Sequence, residues 1–187
     1  MEEYKFKTTP YAHQREAFMS SAEKKVYALL MDMGTGKTKV CLDTIGHLFE
    51  KQEIDFSIIV APKGVIANWL GEIETHLPER IEREVVLWKP ALTKKFRETL
   101  KELSTPSPGK MKFLLMNVES FSSKKGVGVA EYFIKNFKVF MAVDESTTIK
   151  NRQAKRTKSI SKLGLGARYR RILTGSPVTR SPLDLYS

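Results

Sequence analysis

The amino-acid sequence predicts an α/β domain with a mostly parallel central sheet flanked by helices on both faces. Short apolar segments alternate with segments of helical period along most of the chain. A glycine-rich loop joins the first apolar segment to the helical segment that follows it. The chain has 187 residues, 41% of them apolar and 28% charged, which suits one domain with a substantial core.

The predicted strands are short, apolar and bounded by polar or turn-forming residues. They cover residues 26–31, 56–61, 84–88, 111–116, 138–143 and 170–174. The carboxyl ends of parallel strands share one edge of a sheet, which is where ligands bind in folds of this class. We therefore expect Gly34, Asp144 and Thr174 to lie at the same edge.

Segments of helical period fill the spaces between these strands. They cover residues 37–50, 64–76, 91–103, 127–136 and 152–163. Two loops are predicted, one at 104–109 and a looser one at 122–128.

The glycine-rich loop has the sequence Met33-Gly34-Thr35-Gly36-Lys37-Thr38. Backbone N–H groups of such a loop, with those of the helix N-terminus, can surround phosphate oxygens. Lys37 would neutralise charge on the β- and γ-phosphates, and the Thr38 hydroxyl can ligate Mg²⁺. The full motif would have glycine where this chain has Met31. The alternative is an ordinary turn before a helix.

A pair of carboxylates, Asp144-Glu145, follows the fifth predicted strand. Asp144 can hold hydrated Mg²⁺ through water, and Glu145 can orient and polarise the attacking water. An acidic pair at this position can also begin a loop or cap a helix, so its value comes from the glycine-rich loop. Together the two motifs indicate an ATPase that uses ATP and Mg²⁺.

The chain is strongly basic, with 32 Lys and Arg against 21 Asp and Glu and a formal charge of +11. This balance favours a polyanionic partner, although each basic cluster taken alone could be a solvated helix face. The apolar runs are too short for a membrane span, and the start Met1-Glu2-Glu3 does not resemble a signal peptide. A cytoplasmic location is therefore expected.

Six short motifs occur along the chain in this order: Pro10 to Gln14, Met33 to Thr38, Val60 to Lys63 with Asn68-Trp69, Asn117 to Glu119, Asp144 to Thr147 with Ile149 to Asn151, and Leu173 to Pro177. This series resembles the motifs of superfamily 2 helicases. The similarity is greatest to the Swi/Snf-like branch, particularly the compact versions carried by phages and prophages. It covers essentially the whole chain and implies a RecA-like P-loop NTPase fold.

On the nucleotide side, the resemblance implies that Gln14 reads adenine, the alternative being a glutamine on a helix surface. Tyr11 either packs on the base or is a buried tyrosine at a helix start. Thr174 and Ser176 resemble the motif that links the nucleotide state to the nucleic acid, and turn chemistry before Pro177 is the alternative.

On the nucleic-acid side, the resemblance implies backbone contacts from Lys63, and more weakly from Asn117 and Arg152. Trp69 is better explained by core packing than by stacking on a base. Many relatives have His where Thr147 stands and Asn where Arg180 stands, but neither change removes a predicted phosphate or magnesium ligand.

The resemblance implies that residues 1–187 are the N-terminal lobe of a motor that couples ATP hydrolysis to translocation on double-stranded DNA. In the family a second lobe supplies an arginine to the transferred phosphoryl, so we expect this chain to turn over slowly if at all. The expected partners are DNA and that second lobe, with no membrane. A phage origin would place the protein in the bacterial host cytoplasm. The alternatives are a nucleotide-gated nucleic-acid-binding module and a strand-separating helicase.

Overall fold

The computed structural model describes residues 4–144 and 155–175, and a six-stranded sheet forms its centre. The strands are β1 (Val26–Leu30), β2 (Phe56–Ala61), β3 (Glu82–Leu87), β4 (Lys110–Asn117), β5 (Val139–Asp144) and β6 (Tyr169–Thr174). Their order across the sheet is β1-β6-β5-β2-β4-β3, and every neighbouring pair is parallel. The predicted fold class is confirmed.

Helices connect these strands and cover the sheet. They are α1 (Ala12–Ser21), α2 (Lys37–Glu50), α3 (Asn68–His76), α4 (Lys94–Ser104), α5 (Lys124–Asn136) and α6 (Lys155–Gly166), with a 3₁₀ helix at Val118–Ser122. Helix α2 has the predicted bounds, whereas α1 and the 3₁₀ helix lie outside the predicted segments. No helix among the described residues is long and apolar enough to cross a membrane.

Hydroxyl caps explain why two helices begin where they do. The Thr93 hydroxyl accepts a hydrogen bond from the Phe96 N–H at 3.2 Å, so α4 begins after Thr93 rather than at residue 91. The Ser123 hydroxyl accepts one from the Gly126 N–H at 3.1 Å. Helix α5 therefore begins within the segment predicted as a loop at 122–128, and most of that loop prediction is wrong.

The two faces of the sheet carry separate cores. Helices α1, α2 and α3 pack on one face with alternate strand residues such as Leu29, Ile59 and Leu173. Helices α4, α5 and α6 pack on the other face with strand residues such as Ile58 and Met141. This alternation is the period of a strand buried on both sides, and it accounts for the continuous apolar runs of the central strands.

Strand β1 is an exception to this burial. Val26 and Leu30 are more than half exposed, and Ile172 on the neighbouring β6 is 42% exposed. The register pairs Ala28 with Ile172, so these side chains share the face opposite the α1–α3 layer. Helices on both faces of the predicted sheet would bury both faces of β1, but only the face toward the α1–α3 core is buried.

Candidate functional site

The carboxyl ends of β1, β6 and β5 lie side by side, because β6 pairs with both of the other strands. In the register, Leu30 pairs with Thr174 and Leu173 pairs with Asp144. The structure therefore brings the loop after β1 to the same edge as Thr174 and Asp144, both of which are buried. Glu145, Arg152 and Ser176, also predicted for the site or its DNA contacts, lie outside the described residues.

Two glycines shape the loop after β1. Gly34 and Gly36 have φ angles of +76° and +87°, in the left-handed region that favours glycine. A Cβ on Gly36 would lie 2.3 Å from Gln14 Nε2, whereas a Cβ on Gly34 would meet no described atom within 4 Å. The Thr35 hydroxyl donates a 2.7 Å hydrogen bond to the Asp32 carbonyl oxygen, which closes the turn from Asp32 to Thr35 that contains Gly34.

Lys37 is the first residue of α2, and its side chain folds back over the loop. Its Nζ donates hydrogen bonds of 2.9 Å to the carbonyl oxygens of Met31 and Asp32. A Cβ on Gly175 would lie 3.4 Å from that Nζ, so the end of β6 approaches the ammonium group closely. Thr38 follows on the first turn of α2 and is half-buried.

Met31 stands where the common motif has glycine, and the structure gives it two functions. Its side chain packs against the α1–α3 core. Its N–H donates to the Thr174 carbonyl oxygen at 3.3 Å, which extends the β1–β6 pairing by one residue. Met33 is different, because it is 80% exposed.

The Gln14 side chain connects helix α1 to the glycine-rich loop by a hydrogen bond. Its Nε2 donates to the Thr35 carbonyl oxygen at 3.0 Å, and its Oε1 accepts from the Tyr11 N–H at 3.0 Å. The side chain is only 5% exposed, so the alternative of a helix-surface glutamine is wrong. An amide has a second N–H and a second lone pair, which leaves capacity for the predicted contact with adenine.

His13 and Tyr11, the neighbours of Gln14 in α1 and at its start, also lie close to the glycine-rich loop. His13 Nε2 lies 3.0 Å from the same Thr35 carbonyl oxygen, a contact that the sequence analysis did not anticipate. Tyr11 is 71% exposed, so it is not the buried tyrosine of the second interpretation. Its ring stacks on His13 with centroids 5.9 Å apart, and it thus presents an aromatic surface next to the loop.

Asp144 has a partner that the sequence analysis did not assign to it. The Trp69 indole Nε1–H donates to Asp144 Oδ2 at 3.0 Å. Trp69 is 1% exposed and belongs to the α1–α3 core, which confirms core packing over base stacking. The available signal was that a buried indole N–H requires an acceptor.

Two of the predicted nucleic-acid residues, Lys63 and Asn117, lie farther along the same edge. Lys63 is exposed in the loop after β2. Asn117 ends β4, and its register partner is Ala61 at the end of β2. The Asn117 Oδ1 accepts hydrogen bonds from the Ser120 N–H and hydroxyl, so in this structure the side chain caps the 3₁₀ helix.

The arrangement fits a nucleoside triphosphate with Mg²⁺. A loop with left-handed glycines leads into a helix N-terminus, where backbone N–H groups are not bonded within the helix. An ammonium group lies over that loop, and a buried carboxylate and a threonine hydroxyl are available for a hard cation.

Comparisons with known proteins agree with this arrangement. The family model described as the SNF2-related domain matches residues 11–187. The chromatin-remodelling ATPase INO80 of Debaryomyces hansenii is 29% identical over 88% of this chain and 12% of its own length. The probable ATP-dependent DNA helicase CHR23 of Arabidopsis thaliana is 29% identical over 83% of this chain and 14% of its own length. The chain thus spans a small part of these relatives.

Solved structures show the same fold. The SWI2/SNF2 ATPase core of Sulfolobus solfataricus, solved in complex with double-stranded DNA, superposes with a TM-score of 0.73 at 21% identity. That alignment covers 100% of this chain and 36% of the other. The UvsW helicase of bacteriophage T4 gives a TM-score of 0.64 at 13% identity, covering 96% of this chain and 57% of the other.

Proposed function

Because the chain belongs to the SNF2-related domain family, we propose that it is the ATP-binding lobe of a DNA-dependent ATPase motor. The motor couples ATP hydrolysis to translocation along double-stranded DNA, and a second RecA-like lobe of a longer protein completes the nucleotide site. One observation carries the proposal: the Lys37 loop, Asp144 and Thr174 meet at one edge of a parallel sheet.

Each residue of the site has a role in this proposal. The N–H groups of residues 34–38 and the Lys37 ammonium hold the phosphate oxygens. Thr38 and Asp144 hold Mg²⁺, and Glu145 orients and polarises the attacking water. When bound by these residues, Mg²⁺ would neutralise charge that develops on the transferred phosphoryl group.

Two further residues connect this site to its surroundings. Gln14 contacts adenine with the hydrogen-bonding capacity that Thr35 and Tyr11 leave unused. Thr174 senses the nucleotide from the end of β6, where the adjacent Gly175 approaches the Lys37 ammonium. In this proposal Ser176 takes part in the same link.

DNA is the proposed polyanionic partner. The formal charge of +11 favours contacts with phosphates and release of counterions. Lys63, Asn117 and Arg152 are the proposed contacts to the nucleic-acid backbone. The relatives support this choice, since CHR23 is named as a DNA helicase and the Sulfolobus core was solved with double-stranded DNA.

Calorimetric titration with ATPγS and Mg²⁺ tests the nucleotide site. Lys37→Ala removes the ammonium group over the loop, and we expect binding to weaken by more than about tenfold. The matched control is Lys101→Ala, which removes an exposed lysine of α4 on the other face of the sheet. That control should bind as the wild type does. Equal binding by the Lys37→Ala variant and the wild type would overturn the proposed site.

A further inference from the structure

Trp69 and Asp144 come from distant parts of the chain and meet in the interior. Trp69 lies on the first turn of α3, and Asp144 is the last residue of β5. The side chains are 1% and 5% exposed, and the indole Nε1–H donates to Oδ2 at 3.0 Å. The bond therefore joins a rigid core side chain to the carboxylate assigned to Mg²⁺.

We propose that Trp69 is a positioning residue for Asp144, and that its indole N–H holds the carboxylate in the orientation that binds the Mg²⁺ of the nucleotide. The inference rests on the proposed function, because that function makes Asp144 a magnesium ligand. It adds a residue of α3 to a site otherwise built from strand ends, the glycine-rich loop, α1 and the first turn of α2.

The surroundings of Trp69 make it suited to this role. Its ring belongs to the core formed by α1–α3 and the sheet, together with Ile73, which lies one turn later and is fully buried. Close packing restricts an indole ring to one orientation, so its N–H direction is fixed. A hydrogen bond from a fixed donor to one carboxylate oxygen restricts rotation of the whole carboxylate plane.

Burial makes the bond matter for affinity. A buried carboxylate that loses one of its hydrogen bonds is less restrained in orientation, and burial makes the lost bond costly. Loss of an outer partner of a metal ligand typically weakens metal binding by about 10–100-fold. Trp69→Phe removes the indole N–H donor but keeps an aromatic ring in the core. It therefore tests the orientation of the Asp144 carboxylate with little change to core packing.

Calorimetry provides the first test. We expect Trp69→Phe to weaken ATPγS binding in the presence of Mg²⁺ by about 10–100-fold, and to leave binding in EDTA unchanged. The matched control is Trp88→Phe, which changes the other of the two tryptophans, a buried residue of the opposite core. That variant should retain the wild-type response to Mg²⁺.

A spectroscopic test on the wild-type chain does not depend on the folding of the Trp69→Phe variant. The two indole N–H groups give two signals in a ¹H–¹⁵N spectrum, and Trp88→Phe assigns them. With ADP present, addition of Mg²⁺ should shift the Trp69 signal, since the cation then polarises the Asp144 carboxylate that accepts the indole hydrogen bond. Asp144→Asn should change the position of the Trp69 signal and abolish its response to Mg²⁺.

The outcomes separate this inference from the proposed function. Two results would overturn the positioning role alone. One is normal Mg²⁺-dependent binding of ATPγS by the Trp69→Phe variant. The other is a Trp69 signal whose position changes neither with Mg²⁺ nor in the Asp144→Asn variant. Failure of the wild-type chain to bind ATPγS with Mg²⁺ would overturn the proposed function, and the positioning role with it.

Discussion

Gly34 and Gly36 have nearly the same backbone conformation but different neighbours. Both are left-handed, yet only Gly36 has an atom, Gln14 Nε2, where a Cβ would stand. The motif predicts glycine at both positions from the needs of phosphate binding. The structure adds a second reason at Gly36, because the Gln14 amide must pass the loop backbone to reach Thr35.

Alanine at these two positions should therefore have unequal effects on stability. Gly34→Ala should lower the free energy of unfolding by about 1–2 kcal/mol, the cost of a left-handed side-chain-bearing residue. Gly36→Ala should cost at least about 1 kcal/mol more, because it also displaces the Gln14 amide from Thr35. Urea unfolding of both variants measures the difference, and equal losses would contradict the Gln14 contact.

Gln14 and Trp69 are residues whose hydrogen-bond partners could not be predicted from the sequence. The motif places each residue near the site but does not give its hydrogen-bond partners. The Gln14 bond to Thr35 and the Trp69 bond to Asp144 join residues that are distant in the sequence. Only the packing of α1 and α3 against the sheet determines them.

Among the elements, the strands and α1 differ in how far they can be predicted. Central strands such as β2 are almost wholly apolar, and the predicted bounds of β2 match the structure. Helix α1 has only three buried residues and no regular apolar stripe. Tertiary contacts hold its ends instead, with Gln14 at the loop and Arg171 Nη2 donating to the Ser21 carbonyl oxygen at 2.7 Å.

Helix α2 contains a buried ion pair that should make stability depend on pH. Lys39 Nζ donates to Asp43 Oδ2 at 2.7 Å, and both side chains are almost fully buried. Burial raises the pKa of Asp43 to about 6, and the hydrogen bond and charge of Lys39 only partly oppose this. The fold therefore holds a proton on Asp43 more tightly than the unfolded chain does.

The direction in which stability changes with pH follows from this difference between the folded and unfolded pKa of Asp43. The stabilising contribution of Asp43 is present below the unfolded pKa near 4 and is lost as the pH rises to about 6. Its slope is at most about 1.4 kcal/mol per pH unit. Glu23, Glu53 and Glu74 have lowered pKa values, caused first by hydrogen bonds from Lys51, Arg168 and Arg83, and they oppose this trend.

Asp43→Asn isolates this contribution. Denaturant unfolding of the wild type and the variant should give a difference in unfolding free energy that changes between about pH 4 and pH 6 and levels off above it. A difference that stays constant over this interval would show that Asp43 does not titrate there.

At the scale of the whole molecule, the sequence predicts the fold more completely than it predicts the contacts of the site. The alternation of apolar and helical segments predicts the parallel sheet, and the residues at the carboxyl ends of its strands predict the functional edge, since parallel strands bring those ends together. The family resemblance is confirmed, and its phage-type branch stays a prediction. The exposed face of β1 could not be predicted, because a short apolar strand has the same sequence pattern whether one or both of its faces are covered.

The proposed function also predicts the activity of this chain by itself. In this proposal a second lobe supplies the arginine that stabilises charge on the transferred phosphoryl, an effect of about 10³–10⁵ in rate in comparable systems. We expect nucleotide binding with very slow release of phosphate, and little acceleration by duplex DNA. Steady-state phosphate release with and without a DNA duplex measures this. Robust DNA-stimulated turnover would contradict the need for a second lobe.

The hydrogen bonds of Lys37 have a consequence for the thermodynamics of nucleotide binding. Two carbonyl oxygens already hold its ammonium group over the loop, so the long side chain has few rotamers left to lose. A free lysine loses up to about 2 kcal/mol of conformational entropy when it is fixed. In this fold most of that loss occurs during folding, and an incoming phosphate exchanges partners with a side chain that is already in place.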